Sequence, residues 1–161
     1  MSMEKREVLH GTLVRQVRHF IAGSILFNQK VADRVGLHLT DMQCLNLLDM
    51  LGSTTPGELA RYMGLTTGGV TVMLDRLEKR AYVKREPNPG DRRSLLVRVL
   101  PRKFEKLDAF YGEINRRFEA VLRETPEQDL KTVMDFFARC NEVRGELPSG
   151  KAAGKRQGRA E

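Results

Sequence analysis

Apolar residues recur along most of this chain at intervals of three and four, which is the spacing of positions on one face of a helix. From about Glu4 to Val35 the pattern predicts one long amphipathic helix that ends at Gly36. Its apolar face consists of Leu13, Val17, Phe20, Phe27 and Val31. The chain is therefore expected to be mainly helical.

Capping residues indicate where the next two helices begin. Thr40 is the predicted N-cap of the first, with Gln43 three residues later as its capping-box partner. The second has a clearer start, because Thr55 stands at the N-cap, Pro56 at the first helical position and Glu58 at the partner position. Each helix is expected to end at the glycine that follows its last apolar residue.

A third capped start lies at Thr66, and the helix that follows is expected to reach about Arg80 with one apolar face. That face consists of Val70, Leu74 and Leu77. Beyond this helix the pattern predicts two strands, Tyr82–Lys84 and Leu95–Val99, around a turn at Asn88-Pro89-Gly90. This order of elements is typical of a helix-turn-helix followed by a β-wing.

Two further helices are predicted in the C-terminal part of the chain. The first runs from about Arg102 to Glu124, and its apolar positions form a near-heptad seam that would pack against another helix. They are Leu107, Tyr111, Ile114, Phe118 and Val121. A capped start at Thr125, Pro126 and Gln128 begins the final helix.

The first turn of the Thr66–Arg80 helix carries candidate binding residues. They are Thr66, Thr67, Gly68 and, one turn further on, Thr71. Threonine can bond to base edges or phosphates, and free amides at a helix N-terminus bind phosphate. A plainer interpretation makes the threonines only helix caps. However, the pair Gly68-Gly69 costs a helix about 2 kcal/mol relative to alanine, a penalty that a closely approaching partner would explain.

Basic residues are concentrated around the predicted wing. Between positions 79 and 93 there are Lys79, Arg80, Lys84, Arg85, Arg92 and Arg93, against Glu86 and Asp91. A run of charges is usually a solvated face. On a β-turn, however, an arginine can extend into a narrow minor groove, and flanking residues such as Arg85 can hold phosphates. Asp91 is expected to orient one of the wing arginines.

Composition agrees with a polyanionic partner. Twenty-eight Lys and Arg residues against 21 Asp and Glu give a net charge of +7 over 161 residues.

Cys44 and Cys140 lie in apolar helical patterns, so we expect both to be buried, reduced and structural, and no metal site is predicted. The sequence shows no signal peptide and no apolar run of membrane-spanning length, so a cytoplasmic protein is expected.

The segment from Thr55 to Val99 resembles the winged helix-turn-helix of the MarR family of bacterial regulators. The family pattern of Leu-Ala, Val-Thr, Leu-Asp-Arg-Leu-Glu and Asp-Arg-Arg is matched here in order. The matching positions are Leu59-Ala60, Val70-Thr71, Leu74 to Glu78 and Asp91-Arg92-Arg93. The resemblance is specific because it combines several motifs with their order along about 45 residues.

The resemblance implies a symmetric dimer that reads a pseudo-palindromic DNA duplex. It assigns Thr66, Thr67, Gly68 and Thr71 to the major groove, Arg76 to the DNA backbone, and Arg92 and Arg93 to the wing contacts. Ala81 replaces the glycine usual after the recognition helix, so either the turn differs here or a positive φ at this site costs on the order of 1 kcal/mol. The junction Leu100–Phe104 also departs from the family pattern.

The expected organisation follows from these elements. Residues 1–35 form an N-terminal dimerisation helix, 36–100 a winged helix-turn-helix lobe, 101–145 C-terminal dimerisation helices, and 146–161 a disordered basic tail. The fold class is mainly α with a small β-wing. The expected function is that of a transcriptional repressor released by a small aromatic or anionic effector, whose pocket residues the sequence does not identify.

Two other classes of protein compete with this interpretation. An enzyme is disfavoured, because the sequence lacks the usual zinc-hydrolase and nucleotide-binding motifs and no nucleophile is spaced to pair with His10, His19 or His38; no cofactor is expected. A winged-helix module that binds protein or RNA is the second alternative, since a fold does not determine its ligand. The basic wing and the scarcity of aromatic residues for base stacking favour duplex DNA.

Overall fold

The computed structural model describes residues 3–144, which form six helices and one two-stranded antiparallel sheet. The elements are α1 (Met3–Val35), α2 (Leu39–Leu51), α3 (Pro56–Met63), α4 (Thr67–Lys79), β1 (Val83–Asn88), β2 (Asp91–Val99), α5 (Pro101–Glu124) and α6 (Glu127–Arg144). The mainly helical fold class with a small β-wing was thus predicted correctly. The basic tail at 146–161 lies outside the described residues.

The described residues form two compact units, which are divided between Met42 and Gln43. In the first unit α1 ends as predicted, because Gly36 has a φ of 65° and the amide of Leu37 donates back to the carbonyl of Ala32 at 2.9 Å. Near this end the helix buries Val31 and Ala32, whereas the predicted apolar face further up the helix is exposed at Leu13 and Phe20.

The predicted capping box of α2, Thr40 with Gln43, is wrong. The helix begins at Leu39, and the Asp41 carboxylate accepts a hydrogen bond from the backbone amide of His38 at 3.0 Å. The helix thus begins two residues before the predicted first position, Asp41, because the Asp41 side chain bonds to the residue that precedes Leu39 and also interacts favourably with the helix dipole.

The start of α3 confirms the sequence-based prediction in detail. The Thr55 hydroxyl accepts from the amide of Glu58, and the Glu58 carboxylate accepts from the amide of Thr55. Thr54 donates its hydroxyl to the same carboxylate at 2.6 Å, and the hydrogen bonds from Thr54 and Thr55 lower the pKa of Glu58. Thr54 also bridges to Val97 of β2, so this cap joins α3 to the sheet.

The helix-turn-helix and the sheet share the core of the second unit. Gly64 ends α3 in the left-handed conformation with a φ of 63°, and α4 packs against both α3 and β1. The predicted apolar face of α4 is buried, and Met73 joins it. The fully buried side chains of this unit include Leu45, Leu48, Leu59, Val70, Leu74, Leu77, Val83 and Val97.

The wing strands are longer than the sequence predicted. β1 continues to Asn88 and β2 begins at Asp91, so only Pro89 and Gly90 lie between them. The Asn88 side chain accepts from the amide of Gly90 at 2.9 Å and donates to Ser94 at 2.8 Å, which closes the turn. The added residues are polar apart from Pro87, and they are exposed or half-buried, so they lack the alternation by which a strand is recognised in sequence.

Thr125 does not cap α6 as predicted. Its hydroxyl donates to the carbonyl of Val121 at 2.7 Å, and the first carbonyl of α6 to accept a helical bond is that of Pro126, from the amide of Leu130. The threonine therefore satisfies the C-terminal end of α5 instead of the N-terminal end of α6.

The apolar seam of α5 is covered only at its beginning. Leu107 is 2% exposed, whereas Ile114 is 46%, Phe118 54% and Val121 60% exposed. Along α6, Val133 and Phe137 are exposed as well. The last two helices thus carry apolar surface that a single copy of the chain leaves in contact with water.

The turn after α4 has the left-handed geometry that the missing glycine would have suited. Ala81 has a φ of 56°, its amide donates to the carbonyl of Glu78 at 2.8 Å, and the amide of Tyr82 donates to the carbonyl of Leu77 at 2.9 Å. This pair of bonds defines a Schellman helix end, in which the left-handed residue is usually glycine. The backbone of Ala81 is therefore strained, because its Cβ is disfavoured at a positive φ.

We expect Ala81→Gly to raise the free energy of unfolding by about 1 kcal/mol, because it relieves the left-handed strain of a residue with a Cβ. Gly64→Ala is the matched control: Gly64 has nearly the same φ and an added Cβ would meet no atom within 4 Å, so it should lose a similar amount through strain alone. Urea unfolding of the three proteins measures both changes. Destabilisation by Ala81→Gly would contradict the assignment.

Candidate nucleic-acid interface

The first turn of α4 is exposed, and Thr66 serves as its cap. The Thr66 hydroxyl accepts a hydrogen bond from the amide of Gly69 at 3.1 Å. A Cβ added to Gly69 would lie 3.2 Å from that same oxygen, which is tighter than ordinary contact. The glycine at position 69 is therefore explained by the structure, because a side chain there would crowd the Thr66 cap.

The glycine at position 68 has no such explanation among the described residues. A Cβ added there would meet no atom within 4 Å, and its backbone is helical and exposed. Glycine in a helix costs about 1 kcal/mol relative to alanine, and no contact among the described residues offsets that cost at Gly68. The adjacent Thr67 is exposed too, so the outer surface of this turn is open to a partner.

Thr71 lies one turn further along, and its hydroxyl is already engaged. The Thr71 Oγ1 donates to the carbonyl of Thr67 at 2.9 Å. Such a bond from a side chain to the preceding turn uses the only hydroxyl proton. Toward a base edge, Thr71 therefore offers the lone pairs of its oxygen and its methyl group.

Val72 occupies the exposed face of α4 and was not predicted as a site residue. Its side chain is 62% exposed, although valine is usually buried. Gly68, Val72, Asp75 and Lys79 form a stripe along the helix opposite its buried face. A helical projection of the sequence would have shown this outward valine, which can contact a thymine methyl group.

The wing presents two exposed arginines beside its turn. Arg92 and Arg93 lie at the start of β2, and among residues 3–144 neither guanidinium has an ion-pair partner. Asp91, expected to orient a wing arginine, accepts a bond from the backbone amide of Arg93 at 3.0 Å. It therefore fixes the backbone at the arginine and leaves both guanidinium groups available.

Two other basic side chains of the hairpin, Lys84 and Arg98, share one carboxylate within the wing. Glu86 accepts two hydrogen bonds from the Arg98 guanidinium, at 2.8 and 3.0 Å, and its carboxylate lies 3.1 Å from the Lys84 ammonium. The hydrogen bonds from Arg98 and Lys84 lower the pKa of Glu86 to about 2. The basic character of the wing is thus concentrated at its tip.

Arg85 and Arg76 are placed differently from the wing-tip arginines. The Arg85 side chain is only 18% exposed and forms ion pairs with Asp75 and Glu78 of α4. Arg76 is half-buried on α4. The structure thus places the predicted residues of α4 and the wing in one compact unit, but the Arg85 side chain contacts α4 itself.

The two cysteines differ in environment. Cys44 is buried as expected, whereas Cys140 is exposed, so the expectation that both are buried is wrong for Cys140. The sequence placed Cys140 in an apolar pattern, yet the neighbouring Phe137 and Val143 are exposed as well. No cluster of side chains suited to a metal ion occurs among residues 3–144.

In the described part of the chain, no helix has the length and apolar character needed to span a membrane.

Comparisons with known proteins identify the family. A family model described as "MarR family" matches residues 35–94. The uncharacterized HTH-type transcriptional regulator YcgE of Bacillus subtilis is 32% identical over 138 residues, which are 86% of this chain and 90% of YcgE. The multiple antibiotic resistance protein MarR of Salmonella typhimurium is 37% identical over 62 residues, or 38% of this chain and 43% of that protein.

Solved structures share the fold. The transcriptional regulator Tm0710 from Thermotoga maritima superposes with a TM-score of 0.60 at 24% identity, covering 83% of this chain and 94% of that one. A cysteine-to-serine mutant of MarR from E. coli, complexed with operator DNA, gives a TM-score of 0.51 at 18% identity and covers 87% and 99% of the two chains.

YcgE and Tm0710 are transcriptional regulators and not enzymes. Three observations support the same assignment: the winged helix-turn-helix at residues 56–99, the family model that matches residues 35–94, and the similarity to YcgE over most of both chains. The chain belongs to the MarR family of winged helix-turn-helix transcriptional regulators.

Proposed function

We propose that this protein is a cytoplasmic homodimeric repressor that binds a pseudo-palindromic DNA duplex and is released by a small aromatic or anionic effector. One observation carries the DNA-binding part: two wing-tip arginines that have no ion-pair partner among residues 3–144 lie in the same compact unit as an exposed, glycine-containing start of α4. The operator DNA in the MarR complex supports the same kind of ligand. Repression and effector release rest on family resemblance.

The dimer is supported by apolar surface that the single chain leaves exposed. Large apolar side chains of α1, α5 and α6 face water, and a second copy could cover them in a symmetric contact. They include Leu13, Phe20, Ile114, Phe118, Val121, Val133 and Phe137. Residues 1–35 and 101–145 are therefore proposed as the dimerisation parts, with residues 36–100 as the DNA-binding lobe.

We expect the wild-type protein to sediment as a dimer at micromolar concentration, and Phe118→Glu to shift it toward monomer by placing a charge in the apolar contact. Arg116→Glu is the control, since Arg116 lies on the opposite side of α5 and breaking its surface pair with Glu113 costs little. Analytical ultracentrifugation compares the three. A monomeric wild type would remove the basis for two-site recognition.

In the proposed complex α4 lies in the major groove and the wing approaches the adjacent minor groove. Thr66, Thr67 and Gly68 bring the start of the helix to the DNA, while Thr71 and Val72 face base edges and can contact thymine methyl groups. Arg76 is proposed to contact the DNA backbone. Arg92 and Arg93 respond mainly to the width and potential of the minor groove. In the dimer, half-site centres would lie about one helical turn, roughly 10 base pairs, apart.

Gly68 allows stability and binding to be separated. We expect Gly68→Ala to raise the free energy of unfolding by about 1 kcal/mol, because alanine favours the helix and its Cβ has open space. The same variant should bind DNA more weakly, since the Cβ would stand between the helix backbone and the duplex. Ser53→Ala, outside the helix, serves as an unrelated surface control.

The measurements for Gly68→Ala are urea unfolding and fluorescence anisotropy with a duplex selected by the wild-type protein from a random library. A variant that is more stable and binds as well as wild type would show that the duplex does not approach Gly68 closely.

Substitutions in the wing and in α4 should weaken DNA binding in different ways. We expect Arg92→Ala or Arg93→Ala to weaken binding to the selected duplex and to an unrelated duplex alike, and to reduce the salt dependence by about one phosphate contact. Val72→Ala and Thr71→Ala should instead lower the ratio of selected to unrelated binding, with little change in salt dependence.

Titrations of both duplexes at several salt concentrations test this division, with circular dichroism to verify folding. Replacing thymine by uracil, which lacks the methyl group, should remove the effect of Val72→Ala at the contacted position. Wing variants that lose only sequence preference, or a stronger preference for single-stranded RNA than for duplex DNA, would contradict the proposal.

A further inference from the structure

Arg85 of β1 makes three side-chain contacts with α4. Its Nη1 lies 2.7 Å from Asp75 Oδ1 and 2.7 Å from Glu78 Oε2, and its Nη2 donates to the carbonyl of Thr71 at 3.3 Å. The acceptors are spaced by four and then three residues, so they lie along one side of the helix. A single guanidinium thus spans two turns of the recognition helix.

The main chain of Arg85 is bound to the same helix. Its backbone amide donates to Glu78 Oε1 at 2.8 Å, while Oε2 of that carboxylate accepts from the guanidinium. Glu78 therefore holds both the strand and the side chain, and it satisfies an amide on the edge of β1 that faces α4. Strand β1 is thus bonded to α4 through both the backbone and the side chain of one residue.

We propose that Arg85 is a positioning residue, which holds the wing at the angle to α4 that lets both reach the DNA together, and that it does not itself bind phosphate. This inference rests on the proposed DNA-binding function. It differs from the sequence-based expectation, which counted Arg85 among the DNA-binding residues.

Electrostatics oppose direct binding by Arg85. Its side chain is 18% exposed and its guanidinium is paired with two carboxylates, so contact with a phosphate would require breaking charge-assisted hydrogen bonds. Asp75, in contrast, is 62% exposed on the outer stripe of α4, where its charge would repel phosphate. Arg85 both orients the wing and offsets this repulsion.

Glu78→Gln gives opposite signs for the two roles. If only charge mattered, removing a carboxylate near the duplex would strengthen binding to any DNA. If Glu78 and Arg85 set the wing angle, Glu78→Gln should weaken binding to the selected duplex, on the order of tenfold, because a charge-assisted bond is lost. Binding to the unrelated duplex should change far less.

Arg85→Lys tests the planar guanidinium contacts separately from the positive charge. Lysine keeps the positive charge but cannot span three acceptors with a planar group. We expect the selected duplex to be bound on the order of tenfold more weakly, with the salt dependence unchanged, and the double variant Arg85→Lys/Glu78→Gln to be little worse than either single variant. Hydrogen exchange should show faster exchange of the Arg85 amide in Glu78→Gln while the core amides remain protected.

Two results would overturn the inference: full binding by Arg85→Lys, or stronger binding by Glu78→Gln. Arg92→Lys is the matched control, since a wing-tip arginine that contacts DNA should lose affinity independently of Glu78. Failure of the proposed function is distinguishable, because in that case the wild-type protein itself would show no salt-dependent binding to duplex DNA.

Discussion

The turn that joins α4 to β1 is the constraint on which the rest of the proposed DNA-binding surface depends. The bonds from Ala81 and Tyr82 back to α4 end the helix and direct the chain into the wing within two residues. The carbonyl of Tyr82 then accepts from the amide of Leu100 at 2.8 Å, which ties the end of β2 to the same point. Because both strands are bonded at this turn, its geometry determines the direction of the hairpin relative to α4. The contacts of Arg85 with α4 restrict that direction further.

Charge counts alone misjudge which residues of such a surface are available. Positions 79 to 93 contain six basic residues, but Arg85 is paired with α4, and Lys84 shares Glu86 with Arg98 further along β2. Intramolecular pairs stiffen the hairpin where it must be rigid, and they leave unpaired charge at its tip, where a phosphate or a minor groove can gain from it. The net charge describes attraction to DNA, whereas the pairing pattern describes where contact occurs.

The sequence predicted what is encoded locally and missed what depends on distant partners. The caps at Thr55 and Thr66 were predicted correctly because their bonds close within three residues. The start of α2 was misplaced because Asp41, and not Gln43, bonds to the residue before the helix, and the cap of α6 was misassigned because the Thr125 hydroxyl bonds back to α5. The partners of Arg85 lie 7 to 14 residues away, and the exposure of Cys140 depends on tertiary contacts, so neither follows from local spacing.

The two ends of α4 carry different costs, and the difference bears on function. Gly69 loses helix propensity but makes room for the Thr66 cap, and the strain of Ala81 accompanies two hydrogen bonds that form the turn. Gly68 alone of these three has no compensating contact among the described residues. A local cost without internal compensation, placed on the outer surface of the helix that would enter the groove, is the feature expected where the backbone itself must approach another molecule.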